Sequence, residues 1–373
     1  MSLRDVVVVG GSTAGSTVMR DLRRRGFDGR LTLVDPADGT NRPPLSKAIL
    51  AADVDDGSVL IDHSTLDVHH VRTAATGLDL DARCVATSDG GTHRYDALVI
   101  ASGSQARRLA ARGQRGEVVL RTLDDARELR QRILASSSVA IVGAGFLGLE
   151  VATAAARSGA AVTVIDPDPP LHRLLGPHLA GHLVRRAVAM GISFRQSTAT
   201  LVGDPVGAVA LGDGALVEAD LVISCAGDVP ATDWLAGTGL VTPLGIEIDA
   251  AARTTVAGVH AVGDAAAVRS GTSVRRAPYW ANAVTQARVA AASVLGQHVD
   301  DPIVDDYFWT EIAGVSVKVV GPLPLKGVPT VLEDAGDGHG VLAWDGRTVA
   351  ALGVRRPVPK LRALARDLVR LEP

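Results

Sequence analysis

A chain of 373 residues, 47% of them hydrophobic, can bury the cores of two or three domains. Its 38 basic and 41 acidic side chains leave a formal charge of −3, which argues against a nucleic-acid-binding protein taken as a whole. Two cysteines, Cys84 and Cys225, lie far apart and in no C-x-x-C, so the sequence makes no case for a redox disulfide or a thiolate metal site.

Free thiols fit a reducing compartment. The opening MSLRDVVVVGG carries too short an apolar run for a signal peptide. No stretch reaches the roughly 18 apolar residues of a membrane span. A soluble cytoplasmic protein is expected, with no membrane and no nucleic acid among its partners. The ten histidines form no convincing metal cluster; His69, His70, His172, His178 and His182 read as surface or capping residues.

Internal repetition is the strongest signal in the chain. Residues 6–35, VVVVGGSTAGSTVMRDLRRRG…RLTLVD, read as an apolar strand, a Gly-rich turn, a helix and a second strand ending in Asp35. That is a β-α-β unit, which feeds a parallel sheet through a right-handed crossover. Its turn runs Gly10, Gly11, Ser12, Thr13, Ala14, Gly15, with Ser12 where the second glycine of G-x-G-x-x-G is expected. The added Cβ narrows the approach to a pyrophosphate, while the hydroxyl can donate to a phosphate oxygen.

NRPPLSKAIL, residues 41–50, follows. Pro43 and Pro44 fix φ and bias the residues before them to extended forms. Ser46 is expected to cap a helix beginning at Lys47, so that the loop aims Lys47 from a rigid base. Further on, LDDARELRQRI (123–133) reads as a helix.

The second repeat, VAIVGAGFLGLEVATAAARSG…AVTVID, spans residues 139–166. Gly143, Gly145 and Gly148 give G-x-G-x-x-G between strand and helix. The first glycine permits the tight turn, the second admits a pyrophosphate to the backbone, and the third lets helix and strand pack closely. The diphosphate would rest on free N–H groups at the helix N-terminus. Asp166 can bind a ribose diol and repels a 2′-phosphate, favouring NAD over NADP; Arg173, nearby in sequence, leaves a partner for that phosphate open. Two dinucleotide units in one chain point to a flavoprotein that also binds a nicotinamide.

From about residue 302 the pattern changes. GVSVKVVG, TVLEDAG, GVLAWDG and TVAALGV read as short strands with turns, an antiparallel domain closed by one helix. In that helix, KLRALARDLVRLEP, Leu361, Leu364, Leu368 and Leu371 would form one buried stripe. Arg362, Arg366 and Arg370 fall four apart on an adjoining row, with Arg355, Arg356 and Lys360 before them and only Asp367 and Glu372 as acids.

YDALVIASG (95–103) resembles the flavoprotein strand and turn usually written with T-G, and GVHAVGDAAAV (258–268) resembles the second flavin motif, whose Asp holds the ribityl chain. ANAVTQARVAAASVLG (281–296) resembles the helix that follows that motif. Together these resemble the two-dinucleotide-domain flavoprotein reductases, and NRPPLSK narrows the likeness to the NADH-dependent ferredoxin and rubredoxin reductases that serve bacterial oxygenases. Five positions depart from the family's pattern: Ser12, Ser102, Pro278, Glu311 and Ile312. The chain also stops soon after its last helix.

The resemblance implies an α/β fold of two Rossmann-like domains and a small α+β C-terminal domain. The FAD domain would comprise residues 1–109 and 240–301, the inserted NAD domain 110–239 and the C-terminal domain 302–373. It places FAD against Gly10, Ser12, Ala14, Gly15, Asp35, Arg42 (diphosphate or adenosine side), Ser102, Gly103, Gly263 and Asp264. NAD falls to Gly143, Gly145, Phe146, Leu147, Gly148, Glu150, Asp166, Arg173 and Gly227. Lys47, set beside the flavin ring and paired with Glu150, would be the catalytic couple; Trp280 and Trp309 would border the flavin or the nicotinamide.

The expected activity is transfer of electrons from NADH through FAD to an acidic ferredoxin or rubredoxin by a monomer or weak homodimer. Two alternatives stand beside it. One is a reductase of small acceptors such as oxygen or quinones; the other is a nucleotide-responsive flavoprotein resembling apoptosis-inducing-factor relatives.

Overall fold

The computed structural model describes residues 3–51, 56–298 and 302–371. The chain forms two compact units, one of Met1–Arg42, Asp55–Gln105 and Val229–Asp305, the other of Pro43–Val54, Ala106–Asp228 and Asp306–Pro373.

The first unit is built on a five-stranded parallel sheet in the order Val259–Ala261, Ala97–Ile100, Asp5–Val9, Arg30–Val34, His69–Val71. Val6 through Val9 are all buried, as are Ala97 through Ile100. A central parallel strand is covered on both faces, so it reads as a continuous apolar run rather than an alternating one. The crossover helix Thr13–Arg24 sinks Val18, Met19 and Leu22 into the core. It packs on the helix Trp280–Val294, whose Ala283, Ala287, Ala290 and Ala291 are small enough to let the two helices approach. An antiparallel sheet of three short strands and a mixed sheet of four complete this unit.

The second unit repeats the plan. Its parallel sheet runs Ser193–Gln196, Ala161–Asp166, Ser138–Val142, Leu221–Ser224, with Phe146–Arg157 as crossover helix. The predicted helix at 123–133 is Leu123–Leu134. A capping box starts it: Thr122 Oγ1 accepts from Asp125 N at 3.1 Å and Asp125 Oδ2 accepts from Thr122 N at 2.8 Å.

The last part of this unit is a five-stranded antiparallel sheet in the order Tyr307–Ile312, Val315–Val320, Thr348–Leu352, His339–Trp344, Thr330–Gly336. It is tied to the second repeat, with Ala313 N donating to Thr153 Oγ1 at 3.0 Å. The helix Val358–Leu371 closes it. The leucine stripe is corrected here. Leu361 and Ala365 are buried and Leu368 is partly so, but Leu364 is exposed. At about 100° per residue, positions 361, 365 and 368 stay within a narrow arc, while 364 falls to its edge. The side chains of Arg370 and Leu371, and all of Glu372, lie outside the described residues.

Candidate functional site

In the first repeat the strand Asp5–Val9 ends at Gly10, where φ is +101°. A Cβ on Gly10 would stand 2.3 Å from Ala101 O, and one on Gly15 would stand 1.8 Å from Gly10 O. Both positions therefore require glycine. Ser12 precedes the helix but its hydroxyl does not cap it; Oγ sits 3.5 Å from Thr40 N. Asp35 braces the turn, its Oδ2 accepting from Gly11 N at 2.5 Å and its Oδ1 from Ala37 N at 2.9 Å.

Beside this turn, Ser102 Oγ is buried without a hydrogen-bond partner among the described residues. Gly103 follows with φ +72°. An orphaned hydroxyl next to glycines that admit close backbone approach fits a polar ligand such as a nucleotide diphosphate. In the turn Gly263–Ala265, Gly263 N donates to Gln286 Oε1 at 2.8 Å, a buried anchor that no local sequence signal announced. Asp264 takes Ser104 Oγ at 3.4 Å on its carboxylate and Arg276 Nη1 at 3.0 Å on its carbonyl. Arg42 is partly buried outside any helix or strand, and Trp280 opens its helix 41% exposed.

The second repeat has the same construction. Gly143 has φ +114°, and a Cβ there would come within 2.2 Å of Cys225 O; one on Gly148 would meet Gly143 O at 1.9 Å. Gly145 differs: a Cβ would meet nothing within 4 Å. Its open side lies at the start of Phe146–Arg157, a helix whose first N–H groups have no side-chain cap. That is the cradle a diphosphate needs. Gly227 likewise faces open space, with φ +93°.

Asp166 is 8% exposed, with Oδ2 accepting from Ala144 N at 2.7 Å and Oδ1 from Asp168 N at 2.9 Å. Arg173 Nη2 stands 3.6 Å from Asp166 Oδ1, and its Nε 2.9 Å from Asp168 Oδ2. Phe146 is turned onto Phe308, ring centroids 4.8 Å apart, and Leu147 is partly buried. Cys225, behind the turn, is buried, and burial pushes its thiol up to about 12, so it remains protonated. Both cysteines are free thiols.

Lys47 and Glu150 meet within this unit, Nζ to Oε1 at 2.9 Å. The Glu150 side chain is 6% exposed and that of Lys47 24%. Ser46 corrects the sequence reading. The helix begins at Ala48, and the Ser46 hydroxyl donates to Glu150 Oε2 rather than capping it. Thr310 donates to Glu150 Oε1 at 2.6 Å. A carboxylate removed from water is costly unless paired and hydrogen-bonded; here one ammonium and two hydroxyls satisfy it. Lys47 Nζ also lies 3.4 Å from Pro43 O, so the stiff loop holds both ends of its side chain. On the opposite face of the Thr310 strand, Trp309 stacks on Tyr307 at 5.8 Å between centroids.

Sequence reasoning missed Thr310, Gln286 and Asp168. It misread Ser46, because the residue's partner is distant in the chain. No group of three or more metal-ligating side chains occurs among the described residues. No helix among them is long and apolar enough to cross a membrane.

Comparison with known proteins follows the same lines. Residues 4–290 match the family of pyridine nucleotide-disulphide oxidoreductases. The chain is 35% identical to the ferredoxin reductase component of chlorobenzene dioxygenase from Cupriavidus sp. (strain PS12), over 94% of this chain and 89% of that one. It is 32% identical to rubredoxin-NAD(+) reductase from Pseudomonas putida, over 85% and 86%. Among solved structures, the covalent putidaredoxin reductase–putidaredoxin complex superposes with a TM-score of 0.89 at 28% identity, covering 99% of this chain and 94% of that one. The chain thus belongs to the pyridine nucleotide-disulphide oxidoreductase family, on the branch of the ferredoxin and rubredoxin reductases.

Proposed function

We propose that this chain is an NADH-dependent flavoprotein reductase. It holds FAD on the first repeat, takes NADH on the second, and passes electrons to an iron–sulfur ferredoxin or rubredoxin serving an oxygenase. The observation that carries the reading is the pairing of Lys47 with the buried Glu150 carboxylate in the unit that bears the Gly143–Gly148 turn. It is a charged pair held by two further hydroxyls, more than folding a loop requires.

Bound FAD supplies the hydride acceptor and the conversion of an electron pair into single electrons. The protein's part is orientation and electrostatics. Gly10, Ser12, Ala14 and Gly15 receive the FAD diphosphate, and Ser102, Gly103, Gly263 and Asp264 line the rest of its path. Asp35 keeps the first turn closed around the adenosine end, with Arg42 toward the diphosphate. On the second repeat Gly143, Gly145 and Gly148 seat the NADH diphosphate and Asp166 takes the ribose. Phe146 is occupied with Phe308, so it shapes the floor of that site rather than reaching into it.

With FAD bound, Lys47, positioned by Glu150, would supply a fixed positive charge to stabilise the reduced cofactor. Hydride transfer itself needs no proton moved by the protein. Two free thiols, one of them unable to ionise near neutral pH, leave no dithiol chemistry for the chain, which favours electron transfer over disulphide reduction. They fit a reducing, cytoplasmic setting. The docking face for an acidic partner lies on the outer side of the C-terminal helix and the chain just before it, where Arg355, Lys360 and Arg366 are exposed.

The deciding experiment is stopped-flow reduction by NADH, with and without candidate ferredoxins, on protein assayed for one FAD per chain. Fast reduction followed by ferredoxin-dependent turnover is expected. Protein that stays colourless after incubation with FAD, or that reduces slowly whatever ferredoxin is added, would overturn the reading.

A further inference from the structure

The acid at the end of a second β-strand favours a free ribose diol, but in this chain Asp166 does not act alone. Arg173 bridges two carboxylates, Asp166 at 3.6 Å and Asp168 at 2.9 Å. Its side chain is 72% exposed, so solvent access would let it swing to an incoming phosphate.

We propose that Asp168 is a specificity-determining residue, which holds the Arg173 guanidinium and so keeps it from serving as the partner of a 2′-phosphate. The proposal rests on the reading of the second repeat as the pyridine-nucleotide site.

The repeats supply an internal control. Two residues after Asp35 comes Ala37, and two after Asp166 comes Asp168. Both backbone N–H groups donate to Oδ1 of their acid at 2.9 Å. The turn therefore closes equally well on an alanine, and the Asp168 carboxylate is not needed to build it. What the carboxylate adds is the contact to Arg173 Nε.

Charge counting gives the direction. Asp166, Asp168 and Arg173 together carry −1. A 2′-phosphate, bearing between one and two negative charges near neutral pH, meets net repulsion there, and Arg173 can turn to it only by abandoning Asp168. Without Asp168 the remaining pair is neutral. The planar guanidinium, suited to bidentate phosphate contact, is then restrained only by the longer approach to Asp166.

The test is binding rather than turnover. Dissociation constants of NAD+ and NADP+ are measured by calorimetry at low ionic strength on the FAD-loaded protein. The proteins compared are wild type, Asp168→Ala, Asp168→Ala/Arg173→Ala and Asp166→Ala. The Asp168→Ala protein should tighten NADP+ relative to NAD+ by about fivefold, the scale of an exposed ion pair, and the double variant should lose that gain. An unchanged ratio in Asp168→Ala, or a gain that survives removal of Arg173, overturns the role of Asp168. If Asp166→Ala leaves NAD+ binding untouched, the second repeat is not the dinucleotide site, and that reading and the proposal fall together.

Discussion

Thr310 donates its hydroxyl to Glu150 Oε1 across 2.6 Å, although 160 residues separate them in the chain. The same oxygen faces Lys47 Nζ at 2.9 Å. The C-terminal sheet is thereby built into the charged centre of its own unit. Thr310 is 1% exposed, so water cannot replace its hydroxyl. Thr310→Val keeps the shape and removes the donor. It should lower stability by about 1 kcal/mol, the cost of leaving a buried acceptor short of a partner. Thr310→Ser should recover most of the loss. Urea denaturation midpoints of the three proteins check this, and equal midpoints for Thr and Val would contradict it.

Lys47 has the only cationic group in contact with the Glu150 carboxylate among the described residues. Lys47→Ala should slow flavin reduction by NADH on the order of tenfold to a hundredfold, the scale of losing one preorganised electrostatic contact at a reacting centre. FAD affinity should move much less. Rapid-mixing kinetics and FAD release, measured on one preparation, separate the two effects. A variant that sheds FAD yet keeps its reduction rate would show that Lys47 is a binding residue only.

NADH should be the preferred donor. Asp166 is almost fully buried and fixed by two backbone N–H groups, so its charge cannot swing away from a 2′-phosphate. The ratio of kcat/KM for NADH over NADPH should exceed about tenfold in the wild type and shrink in Asp166→Ala. A ratio near one in the wild type would mean that Arg173 compensates.

Much of this architecture was legible because its signals are local. Strand, glycine turn, helix and closing acid fall within about thirty residues in each repeat, and glycine is forced where Cβ would strike Ala101 O or Cys225 O. The helix expected at 123–133 was equally readable. The surroundings of Glu150 were not. Ser46 looked like a helix cap because its local context is a proline-stiffened turn, and nothing within that turn reveals a carboxylate 104 residues away. Leu364 matched a helical stripe by spacing alone, but which flank of a stripe is covered depends on the neighbouring sheet. Asp168 was passed over because its role depends on where Arg173 comes to rest.

Acid should destabilise the protein in part through His260. This residue is 5% exposed, and burial pushes its pKa from the ordinary 6.5 down to about 4, the nearby Arg253 adding to the effect. Between those values the unfolded chain binds a proton that the folded chain refuses. Stability therefore rises with pH through this window and is lost as pH falls from 6.5 toward 4. From pH 7.5 to pH 5 the contribution is about 2 kcal/mol. His63 and His182 are displaced in the same direction by burial, so a background slope will remain. His260→Gln should remove about 2 kcal/mol of the loss between those pH values, measured by urea unfolding at each. Parallel pH dependences in wild type and variant would show that His260 does not carry it.

The docking face proposed for an acidic partner on the C-terminal helix does not use every arginine its spacing suggests. Arg362 lies over the Tyr307 ring at 6.0 Å, and Arg356 pairs with Glu333, so both are engaged within the unit. Among the described residues Arg355, Lys360 and Arg366 are the exposed bases of this segment. On a chain of net charge −3 they form a local positive patch. Such a patch acts chiefly on the rate of encounter, and salt screens it over about 10 Å at 0.1 M. Lys360→Glu/Arg366→Glu reverses two charges at positions whose burial does not support the core. Ferredoxin-linked turnover at low salt should fall about tenfold, and its dependence on ionic strength should flatten, while NADH reduction of the flavin keeps its rate. Turnover is followed at ionic strengths from 10 mM upward, with the pH held constant. If both the low-salt rate and the salt slope match wild type in a protein that unfolds normally, the partner docks elsewhere.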